Sequence, residues 1–180
     1  KGTTPYGRLA ASPVVGEGKI FVVDIFAVVH AFDAGTGSKL WSSQIGDPKD
    51  VAGHISIISG EMVGNRGSLF GGGVSYEDGK LYATSGLGDV VAFNAADGKI
   101  IWTKNVQKET GARLPDWGFG GAPLVAGDKL ILNVGDAGLA LDKKTGAILW
   151  KSEPKSAGYS TPLPLKQGAD TLAVIGSAQS

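Results

Sequence analysis

The sequence predicts an all-β protein built from repeated four-stranded antiparallel sheets, and three observations predict it. One hairpin phrase recurs at residues 31–41, 92–102 and 140–150, with an apolar strand end, an Asx residue, a tight turn closed by Gly and a strand that carries Trp. Each copy follows two further short strands separated by Gly and Asp turns, which are hairpin signals. The 29 glycines fit a fold with many tight turns, because the apolar content of 42% remains that of a folded protein.

The first half of each unit is a strand pair joined by a Gly turn with an acidic residue. The segments 12–23, 73–84 and 122–133 share a short apolar strand, this turn, a Lys and then a β-branched or aromatic strand. Each unit therefore supplies four strands. In the first unit we expect them at about 12–15, 19–23, 27–33 and 38–43.

Four-stranded sheets repeated at about 40 residues are typical of β-propeller blades. Pro123 and Pro162 occupy equivalent positions 39 residues apart, which is the length of the repeat without insertions. A fourth copy begins at 160–165 and continues through 171–175 without the Asx, Gly and Trp half. The sequence thus predicts a partial β-propeller of about three and a half blades, either a segment of a longer propeller or a subunit whose copies complete a ring.

The predicted organisation is a single partial propeller with two insertions between blades. Loops inserted on one face of the array explain why the Trp residues are more than one repeat apart. The expected blades lie at about 8–46, 70–106 and 120–153, the half-blade at 159–180, and the insertions at 47–69 and 107–119.

Composition excludes several classes of function. Seventeen basic and seventeen acidic residues balance, and no basic block is present, so we expect no nucleic-acid partner. Because Cys is absent, disulfides, thiolate catalysis and Cys-ligated metals are excluded; this absence fits the cytosol or a bacterial periplasm. No apolar run approaches the roughly 18 residues of a transmembrane helix.

The residues that repeat in every unit are expected to be structural. The Trp rings should pack between adjacent blades, with ligand stacking as the alternative. The Asx side chains should cap their own turns, with calcium binding as the alternative. This blade signature consists of Asp33, Gly37, Trp41, Asn94, Gly98, Trp102, Asp142, Gly146 and Trp150.

Residues outside the signature give no catalytic prediction and two candidate contact surfaces. His30 and His54 are the two histidines, and neither has a Ser or a carboxylate at triad-like spacing, so we expect core or surface roles. Exposed apolar and aromatic residues on loops often bind partners, with packing over the blade edge as the alternative. The candidates in the two insertions are Ile57, Ile58, Met62, Arg66, Arg113, Asp116, Trp117 and Phe119.

The repeated unit resembles that of the quinoprotein-like propellers, known as the PQQ repeat. The resemblance rests on the pattern PVV-x-x-G-K-x-x-V followed by A-F-D-A-x-T-G-x-x-x-W, and it covers nearly the whole chain. Residues 8–106 are most similar to the BamB family of periplasmic lipoproteins, through the segments 66–74 and 78–86. Residues 115–165 are more similar to uncharacterised quinoprotein-like repeat proteins of bacteria.

The resemblance to BamB implies a non-catalytic scaffold of the bacterial periplasm, lipid-anchored to the outer membrane in a full-length precursor. It implies protein partners, among them the outer-membrane barrel-assembly subunit, and no cofactor. The quinoprotein dehydrogenases of the same superfamily imply instead a dehydrogenase fragment with an unknown ligand. Those enzymes use a vicinal Cys pair and a catalytic Asp, and this chain has no Cys and no Asp that matches. An excised or engineered propeller fragment without independent function is the third alternative.

Overall fold

The computed structural model describes residues 11–24, 26–50, 57–58, 61–62, 72–168 and 170–176. It confirms the predicted all-β partial propeller, with three four-stranded antiparallel sheets whose strands follow chain order. Blade 1 comprises β1 (Val14–Gly16), β2 (Lys19–Val23), β3 (Val28–Asp33) and β4 (Lys39–Gln44). A short hairpin follows, formed by β5 (Ile57–Ile58) and β6 (Glu61–Met62).

The later elements repeat this arrangement. Blade 2 comprises β7 (Gly72–Glu77), β8 (Lys80–Ser85), β9 (Asp89–Asn94) and β10 (Ile100–Asn105). Blade 3 comprises β11 (Leu124–Ala126), β12 (Lys129–Leu132), β13 (Leu139–Asp142) and β14 (Ile148–Lys151). The half-blade is a two-stranded sheet of β15 (Leu163–Gln167) and β16 (Asp170–Val174).

The blades stack face to face, because side chains alternate between the two sides of each strand. In blade 2, Leu81 and Phe93 belong to the apolar cluster shared with blade 1. Their neighbours Tyr82 and Ala92 belong to the cluster shared with blade 3. The core is therefore a series of layers between blades, and a central blade needs apolar residues on both faces.

The first strand of each blade is the innermost one. Strand β7 contacts β1 on one side and β11 on the other, and β11 in turn contacts β15. Because these first strands approach one another while the fourth strands do not, the array curves around them. The ends of the first strands are thus the place where several blades contribute to one surface.

The signature Trp residues lock each blade to the next. The Trp41 Nε1–H donates to the carbonyl of Ala95 in blade 2 at 3.2 Å, and Trp102 donates to the carbonyl of Lys143 in blade 3 at 3.1 Å. The Trp41 ring lies over Gly98, where a Cβ would come within 2.6 Å of it. Gly is therefore needed in this turn both for its left-handed φ of +71° and for the space it leaves.

Trp150 differs from its two equivalents. Its side chain belongs to the fourth strand of blade 3, and 43% of it is exposed, whereas Trp41 and Trp102 are half-buried. Trp150 is therefore less covered than its two equivalents, and its packing between blades stays a prediction. The described part of the half-blade contributes two strands there and no turn of the kind that receives the other two rings.

The signature Asx residues cap their own turns, as expected from the sequence. One Asp33 carboxylate oxygen accepts hydrogen bonds from the Thr36 backbone at 2.7 Å and its hydroxyl at 2.9 Å, and Asp142 accepts the same pair from Thr145. These bonds favour the ionised carboxylates and hold the pKa of Asp33 and of Asp142 below the ordinary value. Asn94 fills the same place in blade 2 without a charge.

One insertion contains a helix that the sequence analysis treated as part of a loop. Helix α1 (Val106–Thr110) begins directly after the last strand of blade 2, with Asn105 as N-cap and Gly111 in the left-handed conformation at its end. Val106 is buried and joins the core between blades 2 and 3. Among the described residues, no helix is long and apolar enough to cross a membrane.

We expect Trp102→Ala to lower the free energy of unfolding by about 3 kcal/mol, because it opens a cavity between two blades and removes an interblade hydrogen bond. The matched variant Trp150→Ala should cost about 1 kcal/mol or less, because 43% of this residue is already exposed. Urea unfolding followed by circular dichroism measures both. Equal losses of unfolding free energy in the two variants would contradict the role of Trp102 in holding blade 2 to blade 3.

The pKa of Asp142 predicts a pH-dependent contribution to stability. Since its pKa is lower in the folded state, the stabilisation is present above the ordinary carboxyl pKa of about 4 and is lost as the pH falls through the folded value. Urea midpoints should therefore show a loss for Asp142→Ala at pH 7 that shrinks by pH 2.5. The uncharged equivalent provides the control, because the loss for Asn94→Ala should show no such titration.

Candidate functional site

A concavity lies at the ends of the first strands, where three blades and two loops meet. We call it the axis cleft; its volume is about 620 Å³. It is lined by residues 11–14, 72–74 and 120–122, with Thr161 and two aromatic side chains at its margin. These aromatics are Trp117 and Tyr159, which are 46% and 49% exposed.

Close packing of the inner strands forms the floor of the cleft. A Cβ on Gly73 would lie 2.6 Å from the backbone of Ala122 in blade 3, so the two strands approach too closely for any larger residue. Thr84 joins the same two blades, since its hydroxyl accepts from the Gly73 N–H and donates to the Gly121 carbonyl, both at 3.1 Å. The floor is therefore backbone, held by hydrogen bonds rather than covered by side chains.

The loop that carries Tyr159 is fixed to blade 3 by hydrogen bonds. The Thr161 hydroxyl accepts from the Ala122 N–H at 3.0 Å, and the Asn133 side-chain amide donates to the Ser160 carbonyl at 3.0 Å. These bonds hold the two residues that directly follow Tyr159. The phenol ring is consequently presented to solvent from an anchored backbone, which lowers the entropic cost of a contact through it.

The loop that carries Trp117 is anchored by its neighbour. Phe119 donates its N–H to the Gly86 carbonyl at 2.8 Å and accepts from the Gly72 N–H at 3.0 Å. Its side chain is buried in the cluster between blades 2 and 3. The interpretation of Phe119 as a contact residue is therefore wrong: the ring is a core anchor that leaves Trp117 at the surface.

The remaining candidates in this insertion are exposed. Arg113 and Asp116 both lie at the surface, and the Arg113 backbone N–H donates to the Pro154 carbonyl at 3.1 Å. Neither residue lines the axis cleft. They stay predicted contact residues beside Trp117, and the aromatic pair at the cleft includes Tyr159, which sequence reasoning missed because it lies in another blade.

The candidates in the first insertion are described in part. Ile57 and Ile58 form β5, and Ile57 pairs with Met62 of β6 in a short antiparallel hairpin. Arg66 and His54 lie outside the described residues. A role in partner contacts stays a prediction for this group.

The chemical groups that line the axis cleft are suited to noncovalent binding. Its described lining contains aromatic rings, hydroxyls, small apolar side chains and glycine backbone, and no carboxylate, imidazole, amide or amine side chain. Across the described ranges, no three His, Asp or Glu residues group in a way that could hold a metal ion. Such a surface binds by stacking, apolar contact and backbone hydrogen bonds.

Blade 1 contains a carboxylate, an imidazole and a hydroxyl in a row, which the sequence analysis did not anticipate. The His30 Nε2 is 3.0 Å from an Asp24 carboxylate oxygen, and its Nδ1 is 2.9 Å from the Ser42 hydroxyl. Asp24 and His30 are buried. The register of β3 with β4 pairs His30 with Ser42. Asp24 reaches the other side of the imidazole from the turn that follows β2.

This row has a structural counterpart in blade 2. The other Asp24 oxygen accepts from the N–H groups of Phe26 and Val28, which caps the turn between β2 and β3. In blade 2 the Ser85 hydroxyl does the same for the N–H groups two and four residues later. Because the uncharged Ser85 replaces Asp24 at the equivalent place, we interpret the row as a structural hydrogen-bond network that stabilises the turn between β2 and β3.

Comparison with known proteins finds similarity to two kinds of propeller. A family model described as outer membrane protein assembly factor BamB matches residues 25–179. The BamB of Moranella endobia (strain PCIT) is 28% identical over 171 residues, covering 92% of this chain and 38% of that protein. The quinone-dependent alcohol dehydrogenase subunit of Gluconacetobacter polyoxogenes is 29% identical over 167 residues, covering 83% of this chain and 21% of that protein.

Solved structures repeat this division. Quinohemoprotein alcohol dehydrogenase from Comamonas testosteroni superposes with a TM-score of 0.58 at 29% identity, over 81% of this chain and 21% of that one. BamB from Moraxella catarrhalis superposes with a TM-score of 0.57 at 14% identity, over 94% and 44%. The chain thus spans between about a fifth and two fifths of the length of the curated relatives described above.

We expect Asp24→Ala to lower the free energy of unfolding by about 2 kcal/mol, because two turn N–H groups and the buried His30 lose an acceptor. Ser42→Ala should change it by no more than about 0.5 kcal/mol, since Ser42 is exposed. Urea unfolding measures both. A p-nitrophenyl ester assay tests the alternative that Asp24, His30 and Ser42 act as a catalytic triad. Ester hydrolysis that is abolished by Ser42→Ala would contradict the structural interpretation.

Proposed function

The chain belongs to the PQQ-repeat family of β-propellers described as outer membrane protein assembly factor BamB, and from this membership we propose a function as a protein-binding scaffold of the bacterial envelope. The scaffold is non-catalytic and acts in the periplasm. Its partner is the outer-membrane barrel-assembly subunit, as the description of the BamB relatives as outer membrane protein assembly factors suggests.

One observation carries the proposal: two exposed aromatic rings, Trp117 and Tyr159, flank a cleft whose floor is backbone. Trp and Tyr are enriched among the residues that contribute most to protein–protein affinity, because each buries a large apolar area and keeps one polar atom for a hydrogen bond. Both rings project from anchored loops. A partner therefore meets a surface that needs little reorganisation.

The lining also indicates the chemistry of the bound segment. With no charged side chain in its described part, the cleft offers no partner for an exposed charge and favours apolar side chains. A cleft of about 620 Å³ has room for a short stretch of polypeptide. We infer that the partner inserts an apolar loop or chain segment between the two rings.

A segment of a quinone-dependent dehydrogenase is the second candidate, favoured by the similarity to the dehydrogenase subunit. A bound pyrroloquinoline quinone carries carboxylates and needs cationic or metal partners. The described lining of the axis cleft provides neither a cation nor a carboxylate for a metal. These residues therefore do not fit that cofactor, and we derive no reaction from it.

The test is the affinity of the chain for the purified periplasmic domains of the barrel-assembly subunit. Trp117→Ala and Tyr159→Ala should each weaken binding by about tenfold to a hundredfold, as expected for aromatic anchors. Phe26→Ala is the matched control, because this ring is 41% exposed and lies away from the cleft. Its affinity should equal that of the unchanged chain in isothermal titration calorimetry.

Two results would contradict the proposal. One is binding that survives both aromatic substitutions, or that falls equally in the Phe26 control. The other is quinone absorbance after addition of pyrroloquinoline quinone and calcium, accompanied by dye reduction with an alcohol. The second result would favour the dehydrogenase alternative.

A further inference from the structure

Backbone N–H groups at the floor of the axis cleft are already engaged in hydrogen bonds. The Gly72 N–H donates to the Phe119 carbonyl at 3.0 Å. The N–H groups of Gly73 and Ala122 each donate to a threonine hydroxyl, at 3.1 Å and 3.0 Å respectively. A ligand in the cleft therefore finds no backbone donor at these positions, which lie at the starts of blades 2 and 3.

Blade 1 lacks a backbone donor where Pro13 enters the cleft. Pro13 lines the cleft directly before β1, and proline has no N–H. An added β-strand needs an edge that supplies both N–H and C=O groups. Because the N–H groups at the floor are engaged and that of proline is missing, the cleft is poorly suited to strand addition.

Hydroxyl side chains supply donors that a ligand can use. Ser12, Tyr159 and Thr161 line the cleft and are exposed, and each hydroxyl has one proton to donate. The Thr161 hydroxyl accepts from the backbone N–H of Ala122, which leaves its own proton to donate. These groups favour a ligand that offers carbonyl acceptors without requiring backbone donors in return.

Among the regular backbone conformations, polyproline II meets these conditions. Its carbonyls form no hydrogen bonds within the segment, so they can accept from the hydroxyls of the cleft. An α-helix uses its carbonyls internally, and a β-strand needs the backbone donors that the cleft floor does not offer. Each proline also removes an N–H group that would lose its hydration in the cleft.

We propose that the axis cleft binds a proline-containing segment of the partner in the polyproline II conformation. Its prolines pack against the rings of Trp117 and Tyr159, and its carbonyls accept from the hydroxyls. The described lining has no charged side chain, which favours a neutral segment. Aromatic-lined grooves recognise such segments because the helix is already formed before binding, so little entropy is lost. This inference rests on the proposed scaffold function and specifies the segment that the partner inserts.

The probe is the neutral peptide acetyl-(Pro-Pro-Leu)3-amide, added to the whole 180-residue chain in isothermal titration calorimetry. It should bind saturably at one site. The mirror-image peptide made of D-amino acids is the matched control, because it has the same composition and apolar area but forms a helix of the opposite hand. The mirror-image peptide should bind about tenfold more weakly or not at all.

Variants of the chain assign the peptide to the cleft. Trp117→Ala and Tyr159→Ala should each weaken peptide binding about tenfold or more. Tyr159→Phe keeps the ring and removes only the hydroxyl, so it should weaken binding severalfold through the loss of one hydrogen bond. Phe26→Ala removes an exposed ring away from the cleft and should leave the peptide affinity unchanged.

The inference and the proposed function fail separately. If the barrel-assembly domains bind through Trp117 and Tyr159 but the peptide does not bind the folded chain, the inference is wrong and the proposed function stands. If the peptide binds through both rings but those domains do not bind, the inference is supported and the proposed partner is wrong. Equal affinity for the two mirror-image peptides, or peptide affinity that Tyr159→Ala leaves unchanged, would also overturn the inference.

Discussion

The contact between the indole of one blade and the turn of the next determines the arrangement of all other parts. The indole N–H donates a hydrogen bond of 3.1–3.2 Å, and the ring of the same Trp packs over a turn position where only glycine fits. Together these two contacts set the distance and the angle between adjacent blades. Since the turn and the Trp belong to the same hairpin in each unit, blade 2 receives the Trp41 ring in its turn and places its own Trp102 against the turn of blade 3. Each blade is thus stabilised by contacts with the adjacent blades, as in other repeat proteins.

The axis cleft is a consequence of that spacing. When the outer strands are held at the indole distance, the inner strands converge until the Gly73 Cα lies against Ala122, and side chains no longer fit between them. The ends of these strands are left as exposed backbone. Loops from different blades then bring Trp117 and Tyr159 to the two margins, which no single unit of the sequence supplies.

The sequence predicted the side-chain contacts that form between residues close together in the chain. It did not predict the following contacts, which form between distant residues. The Asp33 and Asp142 turns were predictable because their hydrogen bonds span three residues. The bond between His30 and Ser42 was missed because it depends on strand register across twelve residues. Phe119 was misassigned because its burial depends on the insertion folding back over the next blade interface.

The blade signature cannot by itself separate a scaffold from an enzyme, because relatives of both kinds match the chain at nearly the same identity. The signature residues hold the blades together. A catalytic or binding function must therefore come from residues outside the signature. In this chain the described inner-strand ends present rings, hydroxyls and peptide groups. Those groups can bind by stacking, apolar contact and backbone hydrogen bonds, which is the observation behind the proposed scaffold.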